Sequence, residues 1–285
     1  MYRCFKVSLD LCEIQQNNKD YVDTCKKYGD SLKRSLNESF NEILATAIDE
    51  NGVVSGEIFI DKWFPVENYD VFLSYSHDDE ELALVFAGFL KYQFGLKVFV
   101  DELIWGSADH LLRKLDNKYC KNDNDNYDYN KRNFTTTHVH AMLSTAIAKI
   151  IDNSETIFFL NSEKSTYIIK DEVYKERTLS PWIYEEIFFT SIIQKKIWYE
   201  HRPDYRLNEF MHFQQSLHVS YLLPTEHLIP MKYSDICSWY ELWIERKNKG
   251  KGGYGDLFLS ENEKIKHPLN VLYDLMCGYD GNEAK

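Results

Sequence analysis

A short apolar run that ends in small polar residues constrains the fold of this chain more than any other feature. Residues 70–76 read DVFLSYS, so Val71, Phe72 and Leu73 form the core of a strand that gives way to polar side chains. A continuous apolar core is typical of a parallel strand, because such sheets are covered on both faces. Ligands bind at the carboxyl ends of these strands, and we therefore expect the functional site there.

The next thirty or so positions complete a strand–helix–strand unit. Apolar residues recur every three or four positions across 82–94, and Gly95 then ends the predicted helix. Residues 96–101, LKVFVD, read as a second strand. Since a helix joins the two strands, we predict that they are parallel and connected by a right-handed crossover.

The alternation of helices and strands continues to the end of the chain. Ser180 before Pro181 is a strong helix start, because proline lacks an amide that would be unpaired at that position. The polar stretch 117–133 is interpreted as a surface insertion. The further predicted elements are a helix over 143–151, strands at 156–160, 217–223 and 228–233, and helices at 178–196, 234–247 and 268–276.

Residues 14–48 carry an apolar stripe at helical spacing and predict an amphipathic helix or a helix pair. The stripe could pack on the core of the same chain or on a second copy, and the sequence does not decide between these alternatives. We assign residues 1–63 to an N-terminal helical extension, 64–233 to the sheet-bearing domain and 234–285 to a C-terminal helical extension.

Composition excludes several classes of protein. With 44% hydrophobic and 15% aromatic residues, the 285-residue chain is too rich in core formers to be disordered. A formal charge of −12 argues against nucleic acid as a partner. No apolar run is long enough to span a membrane, and the six cysteines form no C-x-x-C pair. We expect a cytoplasmic protein with reduced thiols and no membrane partner.

The sequence predicts no metal site. His138 and His140 form an H-x-H pair, but no neighbouring carboxylate or cysteine completes a tetrahedral set, so they are interpreted as ordinary histidines at a helix start. The glycine-rich loop 250–255 lacks the order of residues that cradles phosphate. Common hydrolase and dehydrogenase motifs do not occur.

Five segments together resemble the TIR (Toll/interleukin-1 receptor) domain family in its bacterial form. They are DVFLSYSHDD at 70–79, GLKVFVD at 95–101, WGSAD at 105–109, IFFLNSEKS at 157–165 and SPWIYEE at 180–186. The resemblance implies an α/β, flavodoxin-like fold in which helices flank a parallel sheet. The family contains adaptors that act through TIR–TIR contacts and enzymes that cleave NAD⁺ at the nicotinamide–ribose bond.

The same resemblance implies the site. Glu186, four residues after Trp182, matches the position of the family's catalytic glutamate. NAD⁺ would be the substrate, and no separate cofactor is expected. The loop containing Trp105 often contacts a neighbouring protomer in family enzymes, so self-association through TIR–TIR contacts is expected. The residues expected to line the pocket are Ser74, Tyr75, Ser76, Asp101, Trp105 and Trp182.

The residues themselves make this chemistry plausible. Nicotinamide leaves as a neutral molecule from a cationic ring, so one carboxylate that stabilises the ribose cation can suffice. Trp182 and Glu186 share one face of a helix at i and i+4. A glutamate near a helix start is also commonly just a solvated residue favoured by the helix dipole, and Glu185 competes for the assignment.

Two main functions follow as expectations. One is an NAD⁺ nucleohydrolase or cyclase that produces ADP-ribose, or a cyclic or conjugated form, as a signal to a downstream effector in antiviral defence against phage. The other is a non-catalytic TIR–TIR interaction adaptor or virulence mimic, for which the stripe in 14–48 would serve as an oligomerisation element. A flavodoxin-like receiver or flavin protein shares the fold class, but no trusted acidic phosphoacceptor arrangement is present.

Overall fold

The computed structural model describes most of the sheet and the helices that cover it. The described residues are 3–11, 19–37, 55–56, 60, 68–100, 111–122, 124–168, 176–193, 221–222, 224–249 and 267–277. Several predictions therefore lie outside them: Asp101, Trp105, the end of the N-terminal stripe over 38–48 and the loop 250–255.

Five parallel strands of the described chain form the central sheet, in the order β3-β2-β4-β1-β8. A small antiparallel ribbon has the order β5-β6-β7. The fold is α/β and flavodoxin-like, as predicted. The strands are β1 (Arg3–Ser8), β2 (Tyr69–Ser74), β3 (Val98–Val100), β4 (Ser154–Leu160), β5 (Tyr167–Ile168), β6 (Glu176–Thr178), β7 (Tyr221–Leu222) and β8 (Ile229–Lys232).

Helices cover both faces of the sheet. They are α1 (Lys19–Asn37), α2 (Glu80–Phe94), α3 (Tyr129–Asn153), α4 (Pro181–Ile192), α5 (Tyr233–Lys249) and α6 (Pro268–Cys277). Successive side chains of a strand point to opposite faces. Phe72 of β2 accordingly packs with α3 and α4, whereas Val71 and Leu73 pack with α2, α5 and α6. Among the described residues, no helix has the length and apolarity needed to cross a membrane.

The N-terminal strand corrects the interpretation of residues 1–63 as purely helical and outside the sheet. β1 lies between β4 and β8 and is parallel to both. Phe5 and Val7 are fully buried, but Arg3 and Lys6 interrupt the apolar run, so the hydrophobic pattern does not predict an interior strand. A flavodoxin-like sheet fills this position with its fourth strand in chain order. Here the strand comes from the N-terminus instead.

The described part of the amphipathic stripe forms α1, as predicted, and it packs within the chain. Val22 and Cys25 of α1 form an apolar cluster with Val85 of α2. The helices approach closely through Gly29 of α1 and Gly88 of α2, where an added Cβ would collide with backbone atoms of the other helix. Residues 19–37 of the stripe therefore pack on the same chain, which is one of the two alternatives that the sequence left open.

The predicted surface insertion is partly helical. A π-helical turn spans Asp116–Cys120, and a single bridge then pairs Lys121 with Tyr127. Asp128 caps α3 by accepting a hydrogen bond from the Lys131 amide at 2.9 Å, so the helix begins well before the predicted position. His138 and His140 consequently lie inside α3 rather than at a helix start, which corrects their assignment. The sequence did not predict the first turns of α3, because residues 129–133 are polar and exposed and form little apolar stripe.

Candidate functional site

The strand order predicts a ligand crevice outside the carboxyl ends of β2 and β4. From β2 the chain continues to β3 on one side of the sheet, whereas β4 pairs with the other side of β2. Connections that diverge from neighbouring strands leave an opening outside their carboxyl ends, which is where open α/β sheets bind ligands. We therefore expect the crevice at the end of β2, the strand that ends at Ser74.

Ser74 and Glu186 meet in this region. The Ser74 hydroxyl donates a hydrogen bond of 2.7 Å to Oε2 of Glu186. Ser74 is 0% exposed and Glu186 is 1% exposed, although both side chains are polar. Burial of a carboxylate is energetically costly unless hydrogen bonds compensate it. The Ser74 hydroxyl provides such a hydrogen bond, and the pair is buried rather than a solvated surface contact.

Local sequence explains how α4 brings Glu186 to the sheet. The Ser180 hydroxyl accepts a hydrogen bond from the Ile183 amide at 3.3 Å, and Pro181 occupies the first turn, which confirms the predicted helix start. Ile183 and Ile187 lie on either side of Glu186 along the buried face of the helix. These apolar neighbours lower the local dielectric around Glu186, so its carboxylate would interact strongly with any positive charge placed nearby.

Trp182 packs against a histidine that the sequence analysis did not assign to the site. The ring centroids of Trp182 and His140 are 4.6 Å apart, with an angle of 12° between the planes. Desolvation lowers the pKa of His140 from its ordinary value, which favours the neutral imidazole at neutral pH. His138 instead contacts Phe134, with centroids 4.4 Å apart. The sequence could not show the Trp182 contact, because it joins two separate helices.

The other predicted residues of the first strand end are placed differently. Tyr75 is 4% exposed and belongs to the apolar cluster on the face opposite Ser74, so the structure does not bring it to Glu186. The reason is the alternation of side chains along an extended strand. The carbonyl of Ser76 accepts a hydrogen bond of 2.7 Å from the Asp79 amide and begins a 3₁₀ turn.

Hydrogen bonds and an ion pair, which the sequence analysis did not predict, join the loops after β2 and β4. Asp79 is only 6% exposed. It accepts a hydrogen bond from the Ser162 hydroxyl and forms an ion pair of 3.1 Å with Lys164. Lys164 also donates to the Asp78 carbonyl at 2.6 Å. These contacts hold both sides of the crevice together, and the only sequence signal was the presence of these residues in the segments 70–79 and 157–165.

A cleft of about 1050 Å³ lies at the same carboxyl edge of the sheet, outside β1, β4 and β8. Its size is that of a site for a small organic ligand. Neither Ser74 nor Glu186 is among its described lining residues. The cleft is lined by Ser8, Leu9, Asp10, Asn161, Ser162, Glu163, Thr166, Tyr167, Glu176, Lys232, Tyr233 and Ser234.

Comparisons with known protein families, with curated proteins and with solved structures found no match.

Glu185, the neighbour that competed with Glu186 in the sequence, has a different environment. Burial raises the pKa of the Glu185 carboxyl, and a hydrogen bond with Ser144 of α3 offsets part of this effect. Glu185 therefore faces the interface between α3 and α4, whereas Glu186 reaches the end of β2. The two adjacent glutamates therefore have different partners in the structure.

The raised pKa of Glu185 gives a pH-dependent prediction. A folded-state pKa above the unfolded value contributes stability below the unfolded pKa of about 4.3, and this contribution is lost as the pH rises through the folded-state pKa. Glu185→Gln should therefore raise the melting temperature at pH 7 and change it little at acidic pH. Thermal unfolding from pH 3.5 to pH 8 measures this. The exposed Glu226→Gln is the control, and an equal effect of both variants would contradict the burial argument.

Proposed function

We propose that this protein cleaves the bond between nicotinamide and ribose in NAD⁺, with Glu186 as the catalytic carboxylate. The observation that carries the proposal is the buried hydrogen bond between Ser74 and Glu186 at the carboxyl end of β2, next to the switch point of the sheet. The resemblance of five segments to TIR domains points to the same residue.

The proposed reaction needs few groups. The C–N bond breaks with its electron pair passing to the pyridinium nitrogen, so nicotinamide leaves as a neutral molecule and positive charge develops on the ribose. Glu186 stabilises this charge electrostatically, more strongly in the transition state than in the ground state. Water, or a hydroxyl or ring nitrogen of a nucleotide, then attacks the ribose carbon. The product is ADP-ribose, a cyclic form or a conjugate, according to the nucleophile.

Ser74 acts in this proposal as a positioning residue. Its hydroxyl holds Oε2 of Glu186, so that the carboxylate keeps one orientation while NAD⁺ binds. Trp182 lies one helical turn before Glu186, and its indole is held by stacking on His140 of α3. A rigid arrangement of this kind reduces the reorganisation needed when charge develops.

A Ser74→Ala variant tests the positioning role. Hydrogen bonds to charged groups contribute about 1.5–3 kcal/mol, so we expect kcat for nicotinamide release to fall about tenfold or more, with a smaller change in KM. Steady-state kinetics on wild type and variant separate the two parameters.

Ser154→Ala is the matched control for that experiment. Ser154 is also buried on a parallel strand, and its hydroxyl donates to the Ile150 carbonyl at 2.7 Å, far from the carboxyl end of β4. We expect it to cost stability without changing kcat. If both variants lower kcat equally, Ser74 has only a structural role.

The direct test of the function follows the reaction itself. Concentrated protein is incubated with NAD⁺, and proton NMR or mass spectrometry follows free nicotinamide and the adenine-containing product together. We expect both to appear at equal rates if the product is ADP-ribose or its cyclic form. Absence of nicotinamide across a wide range of protein concentrations, including crowded solutions, would contradict the proposal.

The setting of this activity is also part of the proposal. Cys4, Cys25, Cys120 and Cys237 are thiols rather than disulfides, which supports a reducing compartment such as the cytoplasm. We propose that the nucleotide product acts as a signal in antiviral defence and that self-association completes the site. The interaction-adaptor alternative has less support from the stripe, because the described residues 19–37 pack on α2 of the same chain.

A further inference from the structure

Three side chains with metal-binding atoms meet at the amino edge of the sheet, the edge opposite the crevice. Asp70 and Glu155 are the second residues of β2 and β4. Tyr69 pairs with Ser154 and Val71 with Thr156, so the two carboxylates lie side by side on neighbouring strands. His267 immediately precedes α6 and contacts Asp70. One ligand atom from each of the three residues lies within 4.8 Å of the others.

The distances fit a small divalent cation. Nε2 of His267 is 3.3 Å from Oδ1 of Asp70. Two ligands of a tetrahedral Zn²⁺ ion, each bound at about 2.0–2.2 Å, are separated by about 3.3–3.6 Å. The imidazole and the first carboxylate thus already have the spacing of a metal-binding pair. One oxygen of Glu155 lies within 4.8 Å of a ligand atom of each of the other two residues.

Surrounding groups orient the two carboxylates. The Lys97 amide donates to Oδ2 of Asp70 at 2.7 Å. The Tyr273 hydroxyl is 3.4 Å from Oε1 of Glu155 and 2.6 Å from the Thr156 hydroxyl. Metal ligands are commonly fixed by outer hydrogen bonds of this type. They keep both carboxylates directed toward the same point.

Electrostatics also favours a cation at this position. Two carboxylates that lie close together repel each other, and ligand oxygens of Asp70 and Glu155 lie within 4.8 Å of each other. A divalent ion neutralises both charges at once. A neutral imidazole then serves as the nitrogen ligand, a role that histidine fills more often than any other residue.

The geometry points to a binding site for a zinc-like divalent cation formed by Asp70, Glu155 and His267, with water completing the coordination. The ion would link the start of α6 to the amino ends of β2 and β4. Binding through Nε2 shifts the imidazole proton to Nδ1 and breaks the long contact of 3.4 Å that Nδ1 accepts from the Leu269 amide. This site is separate from Glu186 and does not depend on the proposed reaction.

Metal titration of the full chain tests the site. The protein is freed of metal with a chelator, dialysed and titrated with Zn²⁺ while thermal unfolding and bound metal are measured. We expect one strongly bound Zn²⁺ per chain and a higher melting temperature, both reversed by the chelator. His267→Gln and Glu155→Gln should each weaken binding at least about tenfold. Two separate ligand variants keep the test valid if one of them fails to fold.

His138→Gln is the matched control, because His138 lies on α3 and contacts Phe134 instead of the cluster. It should leave the Zn²⁺ affinity unchanged. Co²⁺ substitution identifies the ligands: nitrogen and oxygen coordination gives ligand-field bands without the strong thiolate charge-transfer absorption. Thiolate absorption, unchanged affinity in both ligand variants or absence of metal-dependent stabilisation would each overturn the site.

Discussion

Nicotinamide release is expected to fall about a thousandfold or more when Glu186 is replaced by glutamine. Glutamine has the same size, and its carbonyl oxygen can accept the hydrogen bond that Ser74 donates at 2.7 Å to the glutamate. The variant lacks only the negative charge that, in the proposed reaction, stabilises the developing ribose cation. Electrostatic groups of this kind contribute about 10²–10³-fold individually, and a site with a single carboxylate depends on it more strongly. The measurement compares nicotinamide release at matched, high protein concentration.

Glu185→Gln is the control that the chain itself offers. It removes the same charge one residue earlier, on the side of α4 that faces Ser144, and should keep most of the activity. Thermal unfolding of both variants shows whether each is folded. Equal loss of activity in both would mean that the reaction depends on the general charge of α4, and Glu186 would lose its assigned role.

Replacement of Gly88 by alanine is expected to destabilise the protein by about 2–3 kcal/mol, the upper part of the range for an overpacked core. The new Cβ would overlap the carbonyl of Cys25, a backbone atom that cannot rotate away. The two helices must separate, and the cluster of Val22, Cys25 and Val85 then loses contact. Chemical denaturation measures the free energy of unfolding, and hydrogen exchange of α1 amides shows whether the loss is local.

Gly56→Ala is the matched control for that substitution. A Cβ at Gly56 would meet the flexible side chain of Met142 at 3.6 Å, an ordinary van der Waals distance. We expect a change in unfolding free energy within about 0.5 kcal/mol, as for most surface substitutions. If Gly88→Ala has an equally small effect, the close approach of α1 and α2 does not constrain the fold.

Local signals allowed much of the chain to be predicted. Gly95 ends α2 with a φ of 72°, and its amide donates to the Lys91 carbonyl at 2.9 Å, as expected for a helix cap that needs a left-handed residue. Ser180 and Pro181 likewise mark the start of α4. The apolar core of β2 predicted a strand covered on both faces. Each of these features depends on interactions within a few residues, which the sequence displays directly.

Features that depend on distant parts of the chain could not be predicted in the same way. β1 joins the sheet although charged residues interrupt its apolar run, because β4 and β8 supply the burial that its own pattern does not reveal. The start of α3 was missed since its first turns are exposed and its signal was one capping aspartate, Asp128. Tertiary contacts outweigh local propensity at such positions.

The sequence by itself determined that this chain folds as an α/β protein and that Glu186 lies on a helix that starts at Ser180-Pro181, because hydrophobic periodicity and helix capping are local. Only the tertiary structure decided which side chains meet. It joined Glu186 to Ser74 across 112 positions and gathered Asp70, Glu155 and His267 at the other edge. The physical reason is that strand order and the alternation of side chains choose the partners of a buried polar group, and spacing along the chain does not encode either.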